Sequence, residues 1–159
     1  MCRAYARSPQ GERAYSDCPA KRGGNLTMVS ALSLQGIVAS MTLHGAADGQ
    51  AFLAYITEVL VPQLRRGQVV VMDNLNTHKI VGIRQAIEAV GARLLYLPEY
   101  SPGLNPIEEC WSKVKGILRS IGARTYEALE QAVAQALAAV TATDALGWFT
   151  HAGYCIESG

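Results

Sequence analysis

Residues 69–73 read VVVMD, a short, unbroken run of apolar residues that ends in a carboxylate. A strand with one face in water alternates apolar and polar residues, whereas continuous apolarity suits a strand buried on both faces. Residues 79–90 follow with Ile80, Ile83, Ile87 and Val90 on one helical face, and Gly91 stands where a helix takes its C′ residue. Residues 93–97 (RLLYL) then form another strand before Pro98. Strand, helix and strand within about 30 residues make a right-handed crossover, so the two strands lie parallel.

The remaining pattern is arranged around that unit. Residues 25–34 (NLTMVSALSL) alternate, with Leu26, Met28, Leu32 and Leu34 on one face, and residues 37–43 (IVASMTL) return after Gln35-Gly36. This predicts a β-hairpin whose turn uses Gly36 for positive φ. Asp48 is placed to cap a helix running to about Leu64, with Phe52, Tyr55, Ile56, Val59 and Leu60 at helical spacing. After Pro106 a helix presents Ile107, Cys110, Trp111, Val114, Leu118 and Ile121 to the interior. A second helix spans Thr125–Val140, with Glu127 and Glu130 in its first turns where the macrodipole favours acids. Trp148 and Phe149 pack a short terminal helix onto the body. No repeat, low-complexity tract or linker interrupts the sequence, so residues 1–159 read as one α/β or α+β domain.

Composition agrees. At 159 residues the chain is long enough for one real core and too short for two ordinary domains. Only 17% of residues are charged and 50% are apolar, which is a folding composition. A net charge of +1 neither suggests nor excludes a nucleic-acid partner. Local clusters say more: Arg3, Arg7, Arg13, Lys21 and Arg22 near the start, and Lys113, Lys115, Arg119 and Arg124 with no acid among them. Such clusters can meet a phosphate backbone, or simply form solvated faces. The four cysteines (Cys2, Cys18, Cys110, Cys155) make no CxxC pair, so reduced thiols in a cytoplasmic protein are expected rather than a zinc site or disulfides. The uncharged run 23–47 alternates with polar residues and is not a membrane span.

The chemistry-bearing residues are acids. Asp73 leaves the carboxyl end of a parallel strand, where open α/β sheets bind ligands, although an Asp in DNLNTH also suits an ordinary turn. Residues 100–115 read YSPGLNPIEECWSKVK. With Asn105 as N-cap and Pro106 at N1, Glu108 falls at N3 and completes an N-x-x-E capping box, and Glu109 lies four residues before Lys113 as a surface ion pair. Local rules therefore explain both glutamates without chemistry. The alternative is that Asp73 and Glu108 converge as hard oxygen ligands for Mg²⁺. Two such ions about 3.5–4 Å apart stabilise the attacking and leaving oxygens of an in-line phosphoryl displacement.

DNLNTHK at 73–79 and YSPGLNPIEECWSKVK at 100–115 closely resemble the catalytic domain of DDE transposases of the mariner-like superfamily, in its bacterial insertion-sequence branch. ALSLQG at 31–36 and the basic stretch before it extend the likeness over nearly the whole chain. The resemblance implies a ribonuclease H-like mixed sheet, an antiparallel hairpin followed by parallel strands with flanking helices. It implies Asp73 and Glu108 as the second and third catalytic carboxylates and metal ligands, with 34 residues between positions 73 and 108. It further implies Mg²⁺ (or Mn²⁺) in a two-metal site, hydrolysis at transposon ends, and attack of the freed 3′-OH on target DNA without a covalent enzyme intermediate. His78, Lys79 and Lys115 become candidate DNA contacts, His78 also reading as a structural residue near the turn; Trp111 reads as core.

One part of the pattern has no counterpart. The family's first catalytic Asp sits on a central first strand, and neither Asp17 in YSDCP nor Asp48 at a helix cap fits that role. No helix-turn-helix segment is present either. The sequence therefore leads us to expect an N-terminally truncated catalytic domain, inactive as this isolated chain, with DNA as partner and self-association or pairing with a full-length transposase. The competing expectation is a non-catalytic DNA-binding or transposase-interacting remnant. A further ribonuclease H-like nuclease would require a complete acidic cluster, and a nucleotide-binding domain would require a Gly-rich phosphate loop.

Overall fold

The parallel pair forms as its sequence dictates. In the computed structural model, which describes residues 26–156, β3 (Val69–Met72) runs beside β4 (Arg93–Tyr96) in the register Val69↔Arg93 to Met72↔Tyr96. The Leu97 N–H donates to the Met72 carbonyl at 2.8 Å, which carries the pairing up to Asp73. The intervening helix is shorter than its apolar pattern suggests. Asn76–Lys79 turn as a 3-10 segment and α2 spans only Ile83–Ala89, because Gly82 at φ 108° breaks the helical path before Ile83. Ile83 and Ile87 are fully buried, and Gly91 ends the helix at φ 78°.

The hairpin joins β1 (Leu26–Ser33) to β2 (Gly36–His44). Its turn is Leu34-Gln35, one residue earlier than the sequence suggests, with Gly36 at φ 109° opening the return strand. A Cβ on Gly36 would also lie 3.2 Å from the Val140 carbonyl oxygen. The register shifts after Ala31↔Ala39 to Leu32↔Ile37, so Val38 is an extra residue and the strand bulges there. A one-residue slip reverses the faces. Ile37 consequently packs with Leu26, Met28 and Leu32 on one side, while Ala39 and Met41 join Val29 and Ala31 on the other.

Each face of the hairpin carries its own core. On one side lie Phe52, Tyr55, Ile56 and Leu60 with Ile83, Ile87 and Leu94. The first four come from α1 (Gly49–Ala54), capped by the Asp48 carboxylate on the Ala51 N–H at 2.8 Å, and from the π-helical turn Tyr55–Leu60, which a 3-10 turn, Val61–Gln63, continues. Sequence periodicity predicts one uninterrupted helix here. Burial of Tyr55 raises its phenol pKa, and its hydroxyl donates to the Ala39 carbonyl at 3.3 Å. On the other side α3 (Ile107–Ile121) packs against α4 (Tyr126–Ala138) through Cys110, Val114, Leu118, Ala132, Val133 and Ala136. Ile121, expected inside, is exposed at the last turn before Gly122. Burial pushes the Cys110 thiol up to about 11, with Asp144 adding to the shift and Lys113 opposing it.

Helix α5 (Ala142–His151) closes this side under a complete capping box between Thr141 and Asp144. Asp144 also accepts from Lys113, and that contact, with the Thr141 N–H and hydroxyl, holds its carboxyl down at about 2. Lys113 is thereby taken from the expected Glu109 pair; Glu109 instead contacts His151. Trp148 packs on the helical core and Phe149 meets Tyr154 edge-on at 5.4 Å.

The two strand pairs do not join. β1–β2 and β3–β4 are separate two-stranded sheets. Between them lies a cleft of about 940 Å³ whose walls include Met28–Ser33 of β1 and Val69–Met72 of β3. The sequence predicts β3 to be buried on both faces. Only Met72 is fully buried; Val69 is 46% exposed and its neighbour strand's Leu95 47%. Among the described residues the edges of β1 and β3 that line the cleft have no strand beside them, which leaves the apolar run of β3 uncovered there. Asp17, Cys2, Cys18 and the first basic cluster lie outside the described residues.

Candidate active site

Asp73 follows the last paired residue of β3, so its position is fixed by the ladder and its side chain emerges at the sheet's carboxyl end, 39% exposed. One carboxylate oxygen accepts weakly from the Leu75 N–H at 3.5 Å. The same oxygen is in contact with His78 Nδ1, but the approach lacks hydrogen-bond alignment, so Nδ1 is a buried atom with no hydrogen-bond partner. His78 is itself held on two sides. Its ring stacks on Phe52 at 4.2 Å, and the Tyr96 hydroxyl donates to its carbonyl at 2.7 Å.

Glu108 reaches the site from the start of α3. The capping box expected from Asn105 does not form: Asn105 stays extended, and the residue preceding the helix is Pro106, with no side-chain cap. The turn is fixed by backbone instead. Asn105 donates to the Pro102 carbonyl at 3.0 Å and Glu108 to the Asn105 carbonyl at 3.1 Å, while the Tyr154 hydroxyl pins the Leu104 carbonyl at 3.0 Å. Pro106 is buried beneath. Among the described residues the Glu108 carboxylate makes no hydrogen bond and no ion pair. A rigid turn thus delivers a carboxylate that no other described residue engages.

Asp73 and Glu108 line the same two clefts, the large one between the sheets and a smaller one of about 440 Å³ at the sheet's carboxyl end. His78 and Trp111 line the large cleft; Trp111 is half-buried, with part of its surface on the helical core. Lys79 and Lys115 are exposed and line neither, so the structure does not bring them to the carboxylates. Two residues not anticipated from sequence do stand at the small cleft, Glu99 and Tyr100. Their signal was the YSP turn itself, a stiff loop directly after a parallel strand.

A domain model for DDE superfamily endonucleases matches residues 1–131. The chain belongs to this family. The fold agrees with two solved structures of Mos1 complexes. Against a Mos1 strand transfer complex the TM-score is 0.65 at 16% identity, and against a pre-cleavage Mos1 transpososome it is 0.68 at 14%. Each likeness covers 99% of this chain and 51% or 53% of the Mos1 chain, so the chain spans about half the length of those proteins. No curated protein matches in sequence. The antiparallel hairpin and the parallel pair with their flanking helices accordingly follow the ribonuclease H-like fold, although the two pairs stand as separate sheets among the described residues and do not form the single mixed sheet expected.

DDE endonucleases depend on divalent metal, and the donors in this chain fit one hard cation. Mg²⁺ is commonly held by one or two carboxylates with water and phosphate in its other positions, and Asp73 and Glu108 offer that set on one cleft. They do not offer more. Among the described residues no three His, Cys, Asp or Glu side chains come together closely enough to hold an ion. No single helix among them is long and apolar enough to cross a membrane.

Proposed function

We propose that this DDE endonuclease chain is the catalytic domain of a transposase of the mariner-like superfamily, from its bacterial insertion-sequence branch, acting on the phosphodiester bonds of transposon-end and target DNA. The supporting observation is that Asp73 and Glu108, supplied by a strand end and a proline-stiffened helix start, line the same clefts, the Glu108 carboxylate making no hydrogen bond or ion pair among the described residues. Mg²⁺ or Mn²⁺, when bound, would polarise the phosphate and stabilise the attacking and leaving oxygens. Asp73 and Glu108 would hold it. In hydrolysis a water oxygen bonds to phosphorus while the 3′-oxygen leaves and takes up a proton; in strand transfer the freed 3′-OH attacks the target phosphate and displaces another 3′-oxygen. His78 acts as a positioning residue, its stacked ring limiting where the Asp73 carboxylate can lie. Lys79 and Lys115 would meet the DNA backbone away from the reacting bond.

The cleft between β1 and β3 bears on completeness. An extended segment lying there would pair two free edges, cover Val69, and unite the two sheets. The buried Ser30 hydroxyl, which has no hydrogen-bond partner among the described residues, lies on that wall. Such a central strand would also bring the third carboxylate that a two-metal site needs. With these 159 residues alone we expect no strand transfer. The pure chain is to be assayed with Mg²⁺ and labelled transposon-end duplex. Cleavage or joining that Asp73→Ala abolishes would contradict the inactivity, and divalent-ion binding indifferent to both Asp73 and Glu108 would contradict the catalytic reading. The two-carboxylate set equally favours a second reading, a DNA-binding or transposase-pairing remnant, which predicts DNA binding unaffected by Glu108→Gln.

A further inference from the structure

Tyr100 combines two properties that rarely coincide. Its ring is 99% exposed, and it has φ 58°, the one positive φ among the described residues that are not glycine. A left-handed backbone is disfavoured for any residue with a Cβ, and Gly or Asn relieves the strain at such positions. The site therefore carries a large aromatic that contributes nothing to the core, on a backbone suited to a small residue. The turn around it is stiff: Pro98 and Pro102 flank it, and the Ser101 hydroxyl donates to the Glu99 carbonyl at 3.4 Å. Strain of this kind collects at functional sites.

Its location sets Tyr100 beside the carboxylates. Tyr100 lines the 440 Å³ cleft together with Asp73, Glu99 and Glu108. Among the described residues no Lys, Arg or His lines that cleft. A metal held by Asp73 and Glu108 would engage only the reacting phosphate, so the neighbouring nucleotides have to be held at this mouth by other contacts. Base stacking on an aromatic face is such a contact, and it tolerates any base.

We propose that Tyr100 is a stacking platform for an unpaired DNA base at the mouth of the carboxylate cleft, positioning the strand whose phosphodiester meets Asp73 and Glu108. This rests on the catalytic reading of that site. The base leaves its own stack and lies on the Tyr100 ring, and the rigid turn keeps the ring in place before DNA arrives. Stacking fixes the register of the strand relative to the carboxylates. Phosphates farther out are left to the exposed lysines.

The test uses the 159-residue chain and a forked DNA duplex with 2-aminopurine as its first unpaired nucleotide, reading both anisotropy and 2-aminopurine fluorescence over a range of salt. Wild type and Tyr100→Phe are expected to bind and to quench the probe. Tyr100→Asn, which keeps the left-handed turn, is expected to lose the quench and weaken binding by about tenfold. Its slope of log affinity against log salt should match wild type, because no phosphate contact has been removed. Quenching by Tyr100→Asn equal to wild type would overturn the stacking role and leave the catalytic reading standing. A Tyr100-dependent quench combined with Mn²⁺ binding that ignores Asp73 and Glu108 would instead overturn the catalytic reading. Failure of the wild-type chain to bind the fork at low salt would overturn both.

Discussion

Helices α4 and α5 begin under hydroxyl caps, Thr125 on the Ala128 N–H and Thr141 in a full capping box, whereas α3, which carries Glu108, begins with no side-chain cap. The contrast extends to the surfaces around them. On the helical side Asp144 and Lys113 satisfy one another and the core residues of α3 and α4 are buried. On the cleft side Val69 is half exposed, and among the described residues the Ser30 hydroxyl has no hydrogen-bond partner and the Glu108 carboxylate no hydrogen bond or ion pair. Both sides share one hairpin and one chain composition. The difference teaches that the local rules hold where the core is closed, and fail beside the open cleft.

Cutting leucines from both sides is the strongest way to break that contrast. Leu118→Ala, in the closed core, should cost about 3 kcal/mol, since a buried leucine loses its transfer energy and leaves a cavity. Leu95→Ala, on β4 beside the cleft-lining β3, should cost less than about 1 kcal/mol because its side chain is already half in water. Urea unfolding of the two variants decides it. Equal losses would mean that the cleft side is as tightly packed as the helical side.

How much of this was legible beforehand follows the same division. The parallel pair, the hairpin and the cores of α3 and α4 followed from periodicity, because burial there obeys strand and helix repeats. The bulge at Val38, the π-helical turn after α1 and the late start of α2 did not, since each is set by tertiary packing or by a single glycine such as Gly82. Asp73 was readable from its place at a strand end. Glu108 was readable twice over, as cap and as ligand, and only the extended Asn105 separates the readings. Tyr154, which pins the turn before α3, carries no sequence signal because its partner lies 50 residues away.

The caps give a smaller but sharper comparison. Thr141→Ala removes a cap that accepts from the Asp144 N–H at 3.2 Å and should cost about 1 kcal/mol. Asn105→Ala removes a residue that caps nothing, and its effect should stay within about 0.5 kcal/mol. Thermal denaturation of both, at one pH and salt, resolves the difference. A loss at Asn105 matching that at Thr141 would return Glu108 to its capping explanation.

The most direct measurement is a double-mutant cycle on Mn²⁺ binding, read by water-proton relaxation, with wild type, Asp73→Ala, Glu108→Ala and the double variant of this chain. Changes merely supporting a ligand already cost 10–100-fold in affinity, so each single substitution should weaken binding by at least about tenfold. The double variant should then be hardly weaker than either single one, because both acids serve one ion. Independent, additive losses, or none at all, would show that the two carboxylates do not share a metal.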